Sequence, residues 1–315
     1  MVIRIAICLT SIVLLAGNAS AQHVRMILPV SAGSGVDTIA RAVAPALSKT
    51  IGAQVVIENL PGAGGVTGTA AIVKAPANGQ TIGLVSNNHV INPSVYPKMP
   101  FDSIEDITSI SVLGTTPLVL VVHPKVPAKD VAELIAFAKA KPGAYNYASA
   151  GNGTIIHLAG EMFVREAGIE VNHIPYKGTG PMLQDLVGGQ VEMGVVALPA
   201  VQGHLRSGAL RAIGITGRQR APAAKDIPTV AEQGLPNYDV EGWFAVVGPA
   251  KLPAAEVNRI HGAFAAAFAT PEVQEAMRKQ GNVIKPTSPQ EAAQIFRAEL
   301  AKYAKVVKAA GVKID

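Results

Sequence analysis

Residues 146 to 157 read Asn-Tyr-Ala-Ser-Ala-Gly-Asn-Gly-Thr-Ile-Ile-His. A short strand, Tyr147 and Ala148, runs into a glycine-rich turn and then into a helix beginning near Thr154. A strand that passes into a helix through such a turn aims backbone amides and the positive end of the helix dipole at one point, which suits an anion. The arrangement recurs near the start of the chain. There Ser31-Ala32-Gly33-Ser34-Gly35 matches Ser149-Ala150-Gly151-Asn152-Gly153 as S-A-G-x-G, follows the apolar stretch Met26 to Leu28, and precedes a helical pattern from Thr38. Asp37 and Thr154 are the expected N-caps. Glycine also serves strand-to-helix turns for conformational reasons alone, so the shared context of the loops carries the expectation more than the match does. Two such loops face to face would hold one small anion between two lobes.

Working outward, Val24 to Val30 reads as a buried strand. The helix after it carries Ile39, Val43 and Leu47 on one face, and Pro45 is expected to kink it or end it early. Gln54 to Glu58 is a second strand, Asn59 to Gly65 a turn-rich loop opening a helix to Ala75, and Thr81 to Ser86 a third strand. That strand ends at Asn87-Asn88-His89, a polar tip of the kind found at the carboxyl edge of an open sheet, where ligands bind. Strand and helix alternate, which predicts a parallel α/β lobe. Leu118 to Val122 is expected to carry the chain into a second lobe. There the pattern predicts a helix over 130–139, the strand and loop quoted above, a helix over 154–167, and strands over 171–175, 191–196 and 210–215. Gly242 to Val247 returns to the first lobe. The expected class is therefore α/β with two lobes and a cleft between them: residues 22–121 plus 242–315 form lobe one, and 122–241 lobe two. Near the end, Ser288-Pro289-Gln290-Glu291 is a capping box, and its helix turns Phe296, Leu300, Tyr303 and Val307 inward.

Arg4, the apolar run Ile5 to Ala16 and Ala19-Ser20-Ala21 have the form of a secretory signal peptide over residues 1–21, with cleavage before Gln22. The run is too short to span a bilayer. Asn18 stands where lipidation would need cysteine, so no membrane anchor is expected. The single cysteine, Cys8, falls within the leader, which leaves the exported chain without disulfides, thiolate metal sites or a cysteine nucleophile. Removing 21 of 315 residues leaves 294, enough for two lobes, and losing Arg4 takes the net charge from +5 to +4. This mild excess, spread along the chain, suits small anions and lacks the basic clusters interleaved with aromatics that nucleic acid requires.

Enzyme chemistry finds little footing. Tyr147-Ala148-Ser149-Ala150-Gly151 resembles a nucleophile elbow but has Tyr where the sharp turn needs Gly. A periplasmic hydrolase built on Ser149 and His157 is therefore the alternative rather than the expectation. His157 and Glu161 share a helix face, yet two ligands make no metal site, and no metal or cofactor is expected. Neither Gly33-Ser34-Gly35 nor any other loop has the spacing of a dinucleotide or Walker motif. Asp37 reads first as a cap, Trp243 as core and Lys177 as a solvated loop charge.

Six ordered blocks resemble the Bug-type extracytoplasmic solute receptors of tripartite tricarboxylate transporters. They are Pro29 to Asp37, Glu58 to Gly65, Ile91 to Tyr96, Asn146 to His157, His173 to Gly178 and Asp226 to Glu232. The resemblance implies a two-lobe periplasmic binding protein, monomeric, that closes on a di- or tricarboxylate or a related organic acid. It would deliver the ligand to large and small membrane subunits, or present it to a signalling partner. It places ligand contacts on Ala32, Gly33, Ser34, Gly35 and Asp37 of one loop and on Ser149, Asn152, Gly153 and Thr154 of the other. Asn88, His157, Tyr176 and Trp243 are further carry-overs. The chain departs from the family in one segment. Many members have F-D-x-x-P where Val195-Val196-Ala197-Leu198-Pro199 stands here, and losing that acid tilts the ligand toward a carboxylate without an ammonium group.

Overall fold

The computed structural model describes residues 23–311, so the expected leader lies outside the described residues. The chain first forms β1 (His23–Leu28), α1 (Gly35–Ile51), β2 (Gln54–Asn59), α2 (Val66–Val73), β3 (Thr81–Ser86), α3 (Asn88–Val95) and β4 (Ile107–Thr116). It then forms β5 (Leu118–Val122), α4 (Val131–Ala140), β6 (Asn146–Ser149), α5 (Ile155–Ala167), β7 (Asn172–Pro175), α6 (Thr179–Val187), β8 (Met193–Ala197), α7 (Leu198–Arg206) and β9 (Arg211–Ile215). Last come β10 (Gly242–Pro249), α8 (Ala254–Phe268), α9 (Pro271–Gln280), β11 (Val283–Ile284) and α10 (Pro289–Ala310).

Two sheets result, a six-stranded one in the order β11-β4-β10-β3-β1-β2 and a five-stranded one in the order β7-β6-β8-β5-β9. Pairing of β1 with β2 and β3 is parallel, as the alternating pattern predicts. The first sheet is nevertheless mixed, because β10 arrives from the other half of the chain and runs antiparallel to both β3 and β4. Every residue of β10 is buried, as a central strand covered on both faces demands; its uninterrupted apolar run is the sequence form of that position.

The crossover between sheets stands earlier than expected. β5, whose first four residues the sequence assigns to the first lobe, pairs wholly within the second sheet, with β8 and β9. The chain changes sheets at Pro117, which has no N–H to continue the β4 ladder; its carbonyl already accepts from Leu198 of the second half at 2.9 Å.

Pro45 does not end α1, which runs on to Ile51 and closes on Gly52 in the left-handed conformation. Val43, Leu47 and Ile51 are buried on either side of it. Burying three such side chains stabilises by about 1.5–3 kcal/mol each, which offsets the roughly 3 kcal/mol that an interior proline costs. α10 begins as predicted, with Ser288 Oγ accepting from Glu291 N at 3.2 Å. It buries Phe296, Tyr303 and Val307, lies along α3 and β4, and reaches α5 of the other half.

Candidate functional site

The residues that follow β1, β2, β3, β6 and β7 line one cavity of about 540 Å³ between the sheets, at the carboxyl ends of their parallel strands. Pro29 to Ser31, Pro61 to Gly65 and Ser86 to Asn88 come from the first half; Ala150 to Asn152 and Pro175 to Thr179 come from the second. Among the described residues neither Asp nor Glu lines it, and Lys177, exposed at the rim, is the one charged side chain on its lining.

The two loops predicted from sequence are one device built twice, with a phase different from that of the S-A-G-x-G match. Gly33 (φ +77°) precedes Ser34, the N-cap of α1, and Gly153 (φ +75°) precedes Thr154, the N-cap of α5. Each hydroxyl accepts from the amide three residues on, Asp37 and His157 respectively, both at 3.2 Å. Each of those side chains reaches back to the glycine amide: Gly33 N donates to Asp37 Oδ2 at 2.9 Å, and Gly153 N to His157 Nδ1 at 3.2 Å. Asp37 is thus the third helical residue and not the cap. The reciprocal bonds leave the Gly35, Val36 and Ile156 amides without an acceptor in their own helices, and all three residues line the cavity. α6 adds a third helix N-terminus there, at Thr179.

Asp37 is 3% exposed, and its carboxylate also accepts from Arg41 Nε at 3.0 Å and Asn59 Nδ2 at 3.0 Å. Burial alone raises its pKa; the bonds from Arg41, Gly33 and Asn59 outweigh that and hold the carboxyl below its ordinary range. Stability from a depressed carboxylate is present above the unfolded value, near 4, and is lost as pH falls through the lower folded value. Asp37→Asn should therefore cost about 1–3 kcal/mol at pH 7. The gap between the two melting curves should close as the pH is taken from 5 to 2, and a gap constant over that range would show that charge plays no part.

Across the cleft the halves are joined by hydrogen bonds. Ile155 N donates to Asn88 Oδ1 at 2.8 Å, Thr179 N to Ser31 Oγ at 3.0 Å, and Tyr96 OH to the Asn152 carbonyl at 3.1 Å. Side chains of one half thus occupy the first amide of a helix in the other. Contact is equally close at Gly35, where a Cβ would lie 2.6 Å from Ala197 Cβ.

Behind the second loop sits a polar cluster. Ser149, 0% exposed, shares a 2.7 Å hydrogen bond with His173 Nε2 and accepts from Gly151 N at 3.2 Å. The His173 ring stacks on His157 at 4.0 Å between centroids and 9° between planes. Burial pushes His173 down to about 4; His157 adds to the shift and Glu161 opposes it. Glu161 lies 3.7 Å from His157 Nε2 and accepts a hydrogen bond from Tyr147 OH. The neighbouring His157 ring, with the Tyr147 hydroxyl, holds its carboxyl below the usual range against the effect of burial. His157, Glu161 and His173 bring ligand-capable atoms within 4.8 Å of one another, a trio invisible as a pair in sequence. Stacked rings direct their lone pairs side by side rather than at a common point. His157 Nδ1 and His173 Nε2 are already engaged by Gly153 and Ser149, so the cluster braces the loop. The hydrolase alternative finds no support: Ser149 is closed off from the cavity, and its partner is His173 rather than His157.

Residues 39–312 match the tripartite tricarboxylate transporter family receptor. The chain belongs to that family. BugT of Bordetella pertussis is 36% identical over 296 residues, which cover 93% of this chain and 91% of BugT. The solved structure of the periplasmic binding protein BugD superposes with a TM-score of 0.89 at 29% identity, covering 93% of this chain and 99% of its own. The R. palustris protein Rpa4515, solved with adipate, gives 0.90 at 32% identity over 94% and 100%. This receptor is therefore a two-lobe solute-binding protein and not an enzyme.

Of the residues expected to meet the ligand, the receptor places Ser34, Gly35, Asn88, Asn152, Thr154, Tyr176 and Trp243 on the cavity. Ala32, Gly33, Asp37, Ser149, Gly153 and His157 are not on its lining; the last four hold the loops from behind, while Ala32 and Gly33 are exposed. Sequence reasoning left Ser31, though it opens the first quoted loop, off the expected contacts, and missed Thr179 and the α6 terminus. The Tyr176-Lys177-Gly178-Thr179-Gly180 turn, a glycine-bearing opening to a helix, was the signal for the latter two.

Proposed function

We propose that this receptor captures a small carboxylate in the periplasm and delivers it to the large and small membrane subunits of a tripartite tricarboxylate transporter. The observation that carries the reading is the convergence of three helix N-termini, those of α1, α5 and α6, on a cavity that no acidic side chain lines among the described residues. Adipate in a structural neighbour supports it, as do the secretory leader expected over residues 1–21 and the absence, among the described residues, of a helix long and apolar enough to cross a membrane. The receptor works as a monomer. Residues 23–116 with 242–311 form one lobe and 118–241 the other, and the crossovers at Pro117 and Glu241 act as hinges.

Each helix terminus stabilises an anion by roughly 0.3–2 kcal/mol, and each hydrogen bond to a charged acceptor adds roughly 1.5–3 kcal/mol. A handful of these, less the cost of closure, reaches the −8 kcal/mol or so of micromolar binding with no salt bridge. Titration calorimetry with succinate and adipate against their dimethyl esters tests the reading: the acids should bind and the esters should not. Equal binding of ester and acid would reject it. Lys177→Ala should leave acid affinity within about tenfold, roughly 1.4 kcal/mol, and complete loss would shift recognition from the amides to the side-chain cation.

A further inference from the structure

The cavity has a floor of a different chemistry from its walls. At the two crossovers Gly242 pairs with Thr116, and Leu118 pairs with Ala197; with Trp243 these residues line the bottom of the cavity. None of the five carries a charge. Thr116 Oγ1, the floor's only hydroxyl, is buried with no partner and is closed off from the open space. The Trp243 indole N–H points away from the ligand space, to Glu299 Oε2 at 3.1 Å. Beneath it Asn87, 0% exposed, is spent on Trp243 N, the Glu241 carbonyl and Tyr303 OH. The floor therefore presents hydrocarbon and aromatic surface, and the amide-bearing α1 terminus borders it where Gly35 meets Ala197.

We propose that this floor is a hydrocarbon subsite, and that the receptor's ligand carries one or two carboxylates on an unsubstituted alkyl or aryl body. This deepens, and rests on, the carboxylate reading above. Charge balance agrees with it. Three helix termini supply about half a positive charge each, about one and a half in all, and the charge of Lys177, exposed at the rim, is screened by solvent, so one or two negative charges are matched better than three. A hydroxyl or third carboxylate laid on the floor loses its water and gains no partner.

Calorimetry of the purified receptor with two series decides the matter: succinate, glutarate and adipate, then butyrate, hexanoate and benzoate, each set beside malate and citrate. Affinity should rise about fourfold for each methylene added until the floor is filled. The heat-capacity change of binding should become more negative along the same series. Malate should bind at least tenfold more weakly than succinate, and citrate more weakly than adipate. A series flat in chain length, or tighter binding of malate and citrate than of their hydrocarbon counterparts, overturns the hydrocarbon subsite and leaves the carboxylate reading standing. Failure of every acid overturns both.

Discussion

Gly35→Ala weakens binding of adipate or succinate by about a hundredfold, and Ala197→Gly in the same chain recovers most of the loss. Position 35 is the first residue of α1 and does not have the positive φ that would require glycine, so alanine suits its backbone at least as well. The first lobe therefore folds at least as well with the substitution. The added Cβ meets Ala197 Cβ of the opposite lobe at 2.6 Å, so the whole cost falls on closure. Overpacking a close contact costs about 1–3 kcal/mol, which is about 5- to 150-fold in affinity. Ala197 is the N-cap of α7 and makes no side-chain cap bond; glycine is a better N-cap than alanine, so the second substitution is harmless to the fold. Calorimetry on both single variants and the double variant reads the coupling. Wild-type affinity in Gly35→Ala, or no recovery in the double variant, would remove the contact from the closure mechanism.

Gly153→Pro abolishes binding in a protein that still melts cooperatively. Proline fixes φ near −65°, whereas Gly153 sits at +75°, and the substitution also deletes the amide that donates to His157 Nδ1. The turn before Thr154 must rearrange, and with it the α5 amides that face the cavity. A proline forced into the wrong conformation costs about 3 kcal/mol or more. Gly153 has no side chain and Thr154 is not among the buried apolar side chains, so that cost falls first on the turn and the site. Gly153→Ala keeps the amide and loses less, about 1–2 kcal/mol for the left-handed conformation. Calorimetry paired with thermal melts is the measurement, and affinity within tenfold of wild type in the proline variant would sink the reasoning.

Elements with a clean apolar rhythm were legible in the sequence: β3 occupies the predicted residues 81–86, and α5 fills 155–167 behind its predicted cap. β4 was not, since Ile107-Thr-Ser-Ile-Ser-Val-Leu-Gly-Thr-Thr116 mixes polar and apolar residues without a period. α9 is polar nearly throughout and escaped notice for the same reason. The loops repeat as expected, but in a different phase. Glycine spacing aligns Gly33 with Gly151, but what repeats is a hydrogen-bond circuit, and Gly-Ser/Thr-x-x-Asp/His at 33–37 and 153–157 is its true signature. The remaining parts of the site are joined only by folding. Ser31 and Thr179 lie 148 residues apart, and no periodicity in either segment announces the bond between them.

The floor of the cavity also makes the receptor its own optical instrument. The chain holds a single tryptophan, and that indole lies 6% exposed at the base of the ligand space, with its N–H pinned by Glu299. Its emission therefore comes from one environment with no background from other indoles. Displacing water beside the ring moves the spectrum in proportion to occupancy, so a label-free titration reads the floor itself rather than an average over the molecule.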